Sequence, residues 1–175
     1  KSLEIGEGIL QKTPQLFRAH FGNAPAVLVA DVNTFAVAGQ KVLEAFRAEK
    51  HATLEPFIFC DPSLYAEHRF VEKLESSLKL HQAIPVAVGS GTVNDLTKLA
   101  SHRTGRPYMC VATAASMDGY TAFGASITYQ GAKQTFTCPA PVAVLADLNV
   151  ISAAPGLMNS WGYADLLAKV TAGAD

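Results

Sequence analysis

Ile84-Pro85-Val86-Ala87-Val88-Gly89-Ser90-Gly91-Thr92-Val93-Asn94-Asp95-Leu96-Thr97-Lys98-Leu99-Ala100 decides how the rest of the chain is read. A short apolar run stops at two glycines, and helical spacing follows at once, with Thr92 expected as the cap. Glycine lets a backbone come close, and the first amides of a helix have no intrahelical partners. Together these features suit a bound phosphate. The spacing alone leaves a tight strand-to-helix turn as the alternative. The run is not the usual dinucleotide fingerprint: Asn94 stands where its third glycine would fall, and the run follows a late strand. A second strand edge comes downstream at Tyr108-Met109-Cys110-Val111-Ala112-Thr113-Ala114-Ala115-Ser116-Met117-Asp118-Gly119. Two such loops imply a cofactor laid across the strand ends of an α/β sheet.

Outward from this stretch the pattern alternates. Residues 26–30 read as a buried strand ending at Asp31, and Asn33 or Thr34 is expected to cap a helix to about residue 49. A strand at 55–60, a break at Asp61-Pro62 and an amphipathic helix at 65–80 follow. Then come a strand at 84–88, a helix at 93–103 and a strand at 108–112. This rhythm predicts an α/β, Rossmann-like fold with a parallel sheet and helices on both faces. It breaks at 125–129 and 132–137, β-prone runs on either side of Gln130-Gly131, which read as an inserted β-hairpin. Residues 142–146 are a further strand ending at Asp147. After Pro155-Gly156 only helical spacing remains. The expected division is a nucleotide-binding α/β domain over 1–154 and the start of an all-α domain over 155–175.

The 175 residues are 49% hydrophobic and 17% charged, enough for one real core and unlike a disordered chain. The formal charge of −1 builds no field for nucleic acid or a membrane surface. No apolar run approaches the ~20 residues that span a bilayer, and no charged-then-apolar leader is present. Cys60, Cys110 and Cys138 are too scattered for a disulfide framework or a zinc knuckle. Cys60 and Cys110 are expected as small buried thiols at strand ends, and the compartment as the cytoplasm. The chain opens on Lys1 and closes on a helical run without a stop signal, so a fragment is expected.

Several residues could carry chemistry. Asp31 at a strand end could take both hydroxyls of an adenosine ribose, favouring NAD over NADP, or could cap the next helix. Asp95 is either a capping partner or a polar contact to the cofactor. The hydroxyls of Thr113 and Ser116 suit phosphate or amide contacts. Asp118 could hold a substrate hydroxyl or belong to a turn with Gly119. By spacing alone, Asp165 reads as a solvated or capping acid and Lys133 as solvent-exposed. The five histidines read as surface residues with no local metal pair.

Four motifs in order, Gly-Ser-Gly-Thr-Val-Asn-Asp-Leu-Thr-Lys, Thr-Ala-Ala-Ser-Met-Asp-Gly-Tyr, Gly-Ala-Lys-Gln-Thr and Gly-Tyr-Ala-Asp-Leu-Leu-Ala-Lys, resemble the sn-glycerol-1-phosphate dehydrogenases. These group with glycerol dehydrogenases, iron-containing alcohol dehydrogenases and dehydroquinate synthases. The resemblance runs from Asp31 to Lys169. It implies a dehydroquinate synthase-like N-terminal domain, a helical C-terminal domain and a cleft between them. It implies reversible hydride transfer between NAD(P)H and dihydroxyacetone phosphate, giving sn-glycerol 1-phosphate for phospholipid biosynthesis. It places cofactor on Asp31, Gly91, Thr92, Val93, Asn94, Asp95, Thr113, Ala114, Ala115 and Ser116. It makes Asp118 the substrate-binding acid, and Asp165 a ligand of a divalent metal, zinc or nickel, that also meets substrate.

At Ala122 the family often has a cofactor-contacting serine, so one hydrogen bond is expected to be lost or moved there. The metal's histidine ligands are expected beyond Asp175, so the chain alone is expected not to catalyse. The remaining expectations are a small-molecule substrate and a homo-oligomer. The alternatives are a related polyol dehydrogenase, a dehydroquinate synthase-like lyase, or a non-catalytic nucleotide-binding module.

Overall fold

The structure is a computed structural model, and it describes residues 1–173. Its centre is a sheet of six parallel strands: β1 (Ser2–Gly6), β2 (Ala26–Asp31), β3 (Phe57–Phe59), β4 (Ile84–Gly89), β5 (Met109–Ala112) and β8 (Ala143–Asp147). The order across the sheet is β1-β8-β5-β4-β2-β3. Register aligns Gly89 with Ala112, Ala112 with Ala146 and Gly6 with Asp147, so the strands finish along one edge. From β2 the chain goes first to β3 on one side and then to β4 on the other. Order reverses there, and a crevice opens beyond the strand ends.

The inner strands are apolar on both faces because helices cover both. Val27, Val29, Ala87 and Cys110 pack towards α4 (His68–Leu78) and α5 (Gly91–Arg103). Leu28, Val86, Val88 and Met109 pack towards α1 (Thr13–Phe21) and α3 (Gln40–Ala48). Each fully buried Leu or Val is worth roughly 1.5–3 kcal/mol against exposure. A separate hairpin, β6 (Ala125–Tyr129) and β7 (Ala132–Phe136), turns at Gln130 (φ 51°) and Gly131 (φ 78°). Two consecutive positive φ angles define the tight turn that the Gln-Gly pair predicts. After the short helix α6 (Leu148–Ser152) the chain ends in α7 (Gly156–Ala172), whose Leu157, Trp161, Leu166, Leu167 and Val170 are exposed. No described helix is long and apolar enough to cross a membrane.

The architecture agrees with the expected α/β sheet and inserted hairpin; several details differ. The pattern missed β1 and α1. β1 is an edge strand whose Leu3 and Ile5 remain exposed, and its partner β8 lies far along the chain. Only residues 57–59 of the expected 55–60 are strand, next to Pro56, which has no amide to donate. The helix expected to begin at 65 starts at His68, because Glu67 is still extended. Between β2 and α3 lie one helical turn, α2 (Val32–Thr34), and a π-helical segment (Phe35–Gly39), and Asp31 is the cap in place of Asn33 or Thr34. Cys60 is exposed, against expectation, whereas Cys110 and Cys138 are buried. Desolvation pushes the Cys110 thiol up to about 12, which keeps it unreactive. His51 is half-buried, donates to the Ala24 carbonyl at 2.9 Å and packs edge-on against Phe17.

Candidate active-site clefts

Helix α5 begins at Gly91, two residues earlier than its pattern implied. Ser90, still extended, is the N-cap, so Thr92 lies within the first turn and does not cap. The first intrahelical bond runs from the Asn94 amide to the Ser90 carbonyl at 3.0 Å. The amides of Gly91, Thr92 and Val93 therefore precede the ladder, and no side chain caps them. The helix dipole adds partial positive charge at the same point. Gly89 makes the tight approach possible: a Cβ there would lie 2.5 Å from the Val93 Cβ. The Thr113 amide donates to the Gly89 carbonyl at 3.2 Å, which joins the two loops read from the sequence.

This edge borders a cleft of about 600 Å³ lined by Asp31, Thr34, Ser90, Thr113, Asp147 and Met158 among others. Asp31 Oδ1 accepts the Asn33 and Thr34 amides at 2.8 and 2.9 Å, and the Thr34 hydroxyl accepts the Asp31 amide. One carboxylate oxygen thus caps α2, and the other has no hydrogen bond among the described residues. Asp147 was not singled out from the sequence, although it ends a strand just as Asp31 does. It is 2% exposed and accepts the amides of Gly8, Leu10 and Asn149, each at 3.0 Å. It pins the β1 exit beside the cleft. Asp147→Ala would strand these donors and is expected to lower stability by about 2–4 kcal/mol, read by urea denaturation.

A second cleft of about 680 Å³ is lined by Asp95, Ser116, Asp118, Lys133, Asp165 and Lys169 among others. Helix α7 closes one side, with Gly162 against the Ala115 carbonyl. One turn on, Asp165 Oδ2 accepts the Asp118 amide at 3.0 Å, and Lys169 Nζ lies 3.5 Å from Asp118 Oδ2. The Asp118 amide, helped by the Lys169 and Lys133 ammonium groups, holds the Asp165 carboxyl below the usual range. Asp118 and Asp165, distant in sequence, are thus brought together. Lys133 is exposed as expected, yet it lines this cleft.

The remaining candidates divide. Asn94 turns inward: its Oδ1 accepts the Tyr108 hydroxyl at 3.1 Å and its Nδ2 donates to Asp95. Its amide is also engaged and the residue is fully buried, so its side chain supports the loop from within. The Val93 side chain is buried, leaving only its amide at the edge. The Ala114 carbonyl accepts the Tyr120 hydroxyl at 2.7 Å, and the Ala122 carbonyl accepts from Lys98 at 2.9 Å. Asp95 is largely buried, and desolvation raises its pKa.

The free amides and the glycine cradle suit a diphosphate. The donor set for a metal is incomplete: among the described residues no group of three or more His, Cys, Asp or Glu could hold an ion. Asp165 could supply one ligand and does not make a metal site alone.

Across 172 residues the chain is 34% identical to glycerol-1-phosphate dehydrogenase (NAD(P)+) of Halalkalibacterium halodurans, covering 97% of this chain and 43% of that protein. The chain thus spans under half the length of that curated relative. A glycerol dehydrogenase from Schizosaccharomyces pombe superposes with TM-score 0.79 at 20% identity, over 95% of this chain and 42% of that one. The NADH-dependent butanol dehydrogenase A of Thermotoga maritima gives 0.83 at 14% identity, over 96% and 48%. These two likenesses show a shared fold. The sequence profile of iron-containing alcohol dehydrogenase matches residues 4–155, nearly the whole α/β sheet, and the chain belongs to that family.

Proposed function

We propose that this chain forms the nucleotide-binding part of an NAD(P)H-dependent enzyme that reduces dihydroxyacetone phosphate to sn-glycerol 1-phosphate. One observation carries the reading: the uncapped amides of Gly91, Thr92 and Val93 at the crevice where strand order reverses. They would hold the cofactor diphosphate. The free oxygen of Asp31 would take the adenosine ribose, and Thr113 and Ser116 would offer hydroxyls along the cofactor. Bound nicotinamide supplies the hydride. Asp118 would accept a hydrogen bond from a substrate hydroxyl, while Asp165 and Lys169 orient it through its amide and carboxylate. Asp165 would also be one ligand of a divalent metal completed by residues outside those described. The 34% identity to a glycerol-1-phosphate dehydrogenase supports this substrate above other polyols.

The test is NADH consumption by the intact enzyme with dihydroxyacetone phosphate, dihydroxyacetone and a phosphorylated cyclising substrate in parallel. Equimolar NADH loss and glycerol 1-phosphate formation is the expected result. Phosphate release without net NADH loss would instead identify a lyase, and NADH binding without turnover a non-catalytic module.

Asp31→Ala separates the two jobs of that side chain. Loss of the cap is expected to cost about 1 kcal/mol of stability. The ratio of NADPH to NADH affinity, read by fluorescence titration, is expected to rise, because the carboxylate no longer repels a 2′-phosphate.

A further inference from the structure

Lys98 carries an ammonium group into the interior, with the residue 1% exposed. Its Nζ donates to the carbonyls of Ala122 at 2.9 Å, Gly124 at 3.0 Å and Gly119 at 3.4 Å. Three carbonyls match the three protons of an ammonium group. All three belong to the loop that starts at Asp118 and runs into β6. Its only regular structure is the 3-10 turn Gly119–Thr121. One helical turn before Lys98, Asp95 grips the other end of the loop: Oδ2 accepts the Ser126 amide at 3.2 Å, and Oδ1 lies 3.8 Å from Lys98 Nζ.

Buried ion pairs are a poor source of stability, and apolar side chains of similar volume often serve as well. What this pair provides is a fixed position for a loop held by no strand and only one short 3-10 turn. Lys98 lines neither cleft. It sits on the helix whose first amides face the crevice, so α5 sets the spacing between those amides and Asp118.

We propose that Lys98 is a positioning residue for substrate: by gripping the carbonyls of residues 119, 122 and 124 it fixes Asp118 relative to the bound cofactor. This rests on the function proposed above. Loss of the grip displaces Asp118 while leaving Gly91, Thr92 and Val93 in place. Substrate use suffers and cofactor binding does not.

Lys98→Met keeps length and removes the charge and donors. In the intact enzyme, KM for dihydroxyacetone phosphate is expected to rise ~10-fold or more, since small displacements at a reacting centre are costly. The NADH dissociation constant should stay within about twofold, as the α5 amides do not move. Hydrogen exchange of residues 119–124 should accelerate ~10-fold or more while that of β4 is unchanged. Lys98→Arg, which restores donors, should recover part of both readouts. A lowered melting temperature with unchanged KM, or exchange faster everywhere alike, would overturn the proposal and leave Lys98 a structural residue. If Lys98→Met is recovered only unfolded, the wild-type lysine ammonium resonance decides. It should shift when dihydroxyacetone phosphate is added to the NADH complex, and a silent signal overturns the proposal. Wild-type enzyme that does not reduce dihydroxyacetone phosphate would sink the assigned function instead, and exchange at 119–124 would still judge the grip.

Discussion

Asp165→Asn is expected to remove at least ~10³-fold of kcat/KM, about 4 kcal/mol of transition-state stabilisation, and to leave NADH affinity within about threefold. Asparagine retains a side-chain oxygen where Asp165 Oδ2 now accepts the Asp118 amide at 3.0 Å, so α7 and the loop stay joined. What is lost is the negative charge. That charge faces Lys169 and Lys133, and in the proposed site it is what Asp165 would offer to a divalent cation. Bound metal per subunit, measured by elemental analysis, should fall in parallel. Asp165→Ala removes the acceptor as well, so it should also raise KM, whereas Asp165→Asn acts mainly on kcat. A tenfold or smaller loss in Asp165→Asn, with metal content intact, would remove Asp165 from the proposed site.

Much of the fold was legible because the inner strands are short apolar runs with turn signals at their ends. Residues 26–30, 84–88 and 108–112 need burial on both faces, which only a parallel sheet between helices provides. The hairpin was equally plain, since Gln130-Gly131 adopts the paired positive φ values its turn requires. β1 was not legible: its alternating apolar residues face outward at the edge, and its pairing with β8 depends on contacts made far along the chain. In the candidate site, strand-end acids could be read but their division of labour could not. Asp31 both caps a helix and borders the first cleft, and Asp147, with the same signal, is consumed by backbone amides. Lys98 looked like any helix lysine, since nothing local reports that a loop beyond the next strand folds its carbonyls over it. Asp165 gave no signal by spacing, and its meaning there came from the resemblance of the motif around it. Its meeting with Asp118 depends on where α7 lands, and that is decided by a residue of no apparent chemistry.

That residue is Gly162, and Gly162→Ala is the sharpest test of the second cleft. A methyl group there would sit 2.0 Å from the Ala115 carbonyl oxygen and 2.9 Å from its carbon, where ordinary contact begins near 3.4 Å. Both are backbone atoms and cannot swing aside, so α7 must move by ~1 Å or more. A misplacement of that size is enough to cost ~10²-fold in rate. The opposite effect operates in the isolated helix, where alanine is favoured over glycine by about 1 kcal/mol. The two views therefore predict different signs. If α7 matters only as a helix, Gly162→Ala raises protection of its amides and leaves turnover alone. If its seat on Ala115 matters, the variant exchanges α7 amides faster, loses the Asp165 to Asp118 hydrogen bond and drops kcat/KM by ~10²-fold or more, with NADH affinity unchanged. The second result is expected, because Gly162 is the one residue of α7 buried against the sheet domain among those described. Gly162→Val should deepen the loss, since its branched side chain needs still more room at the same backbone contact.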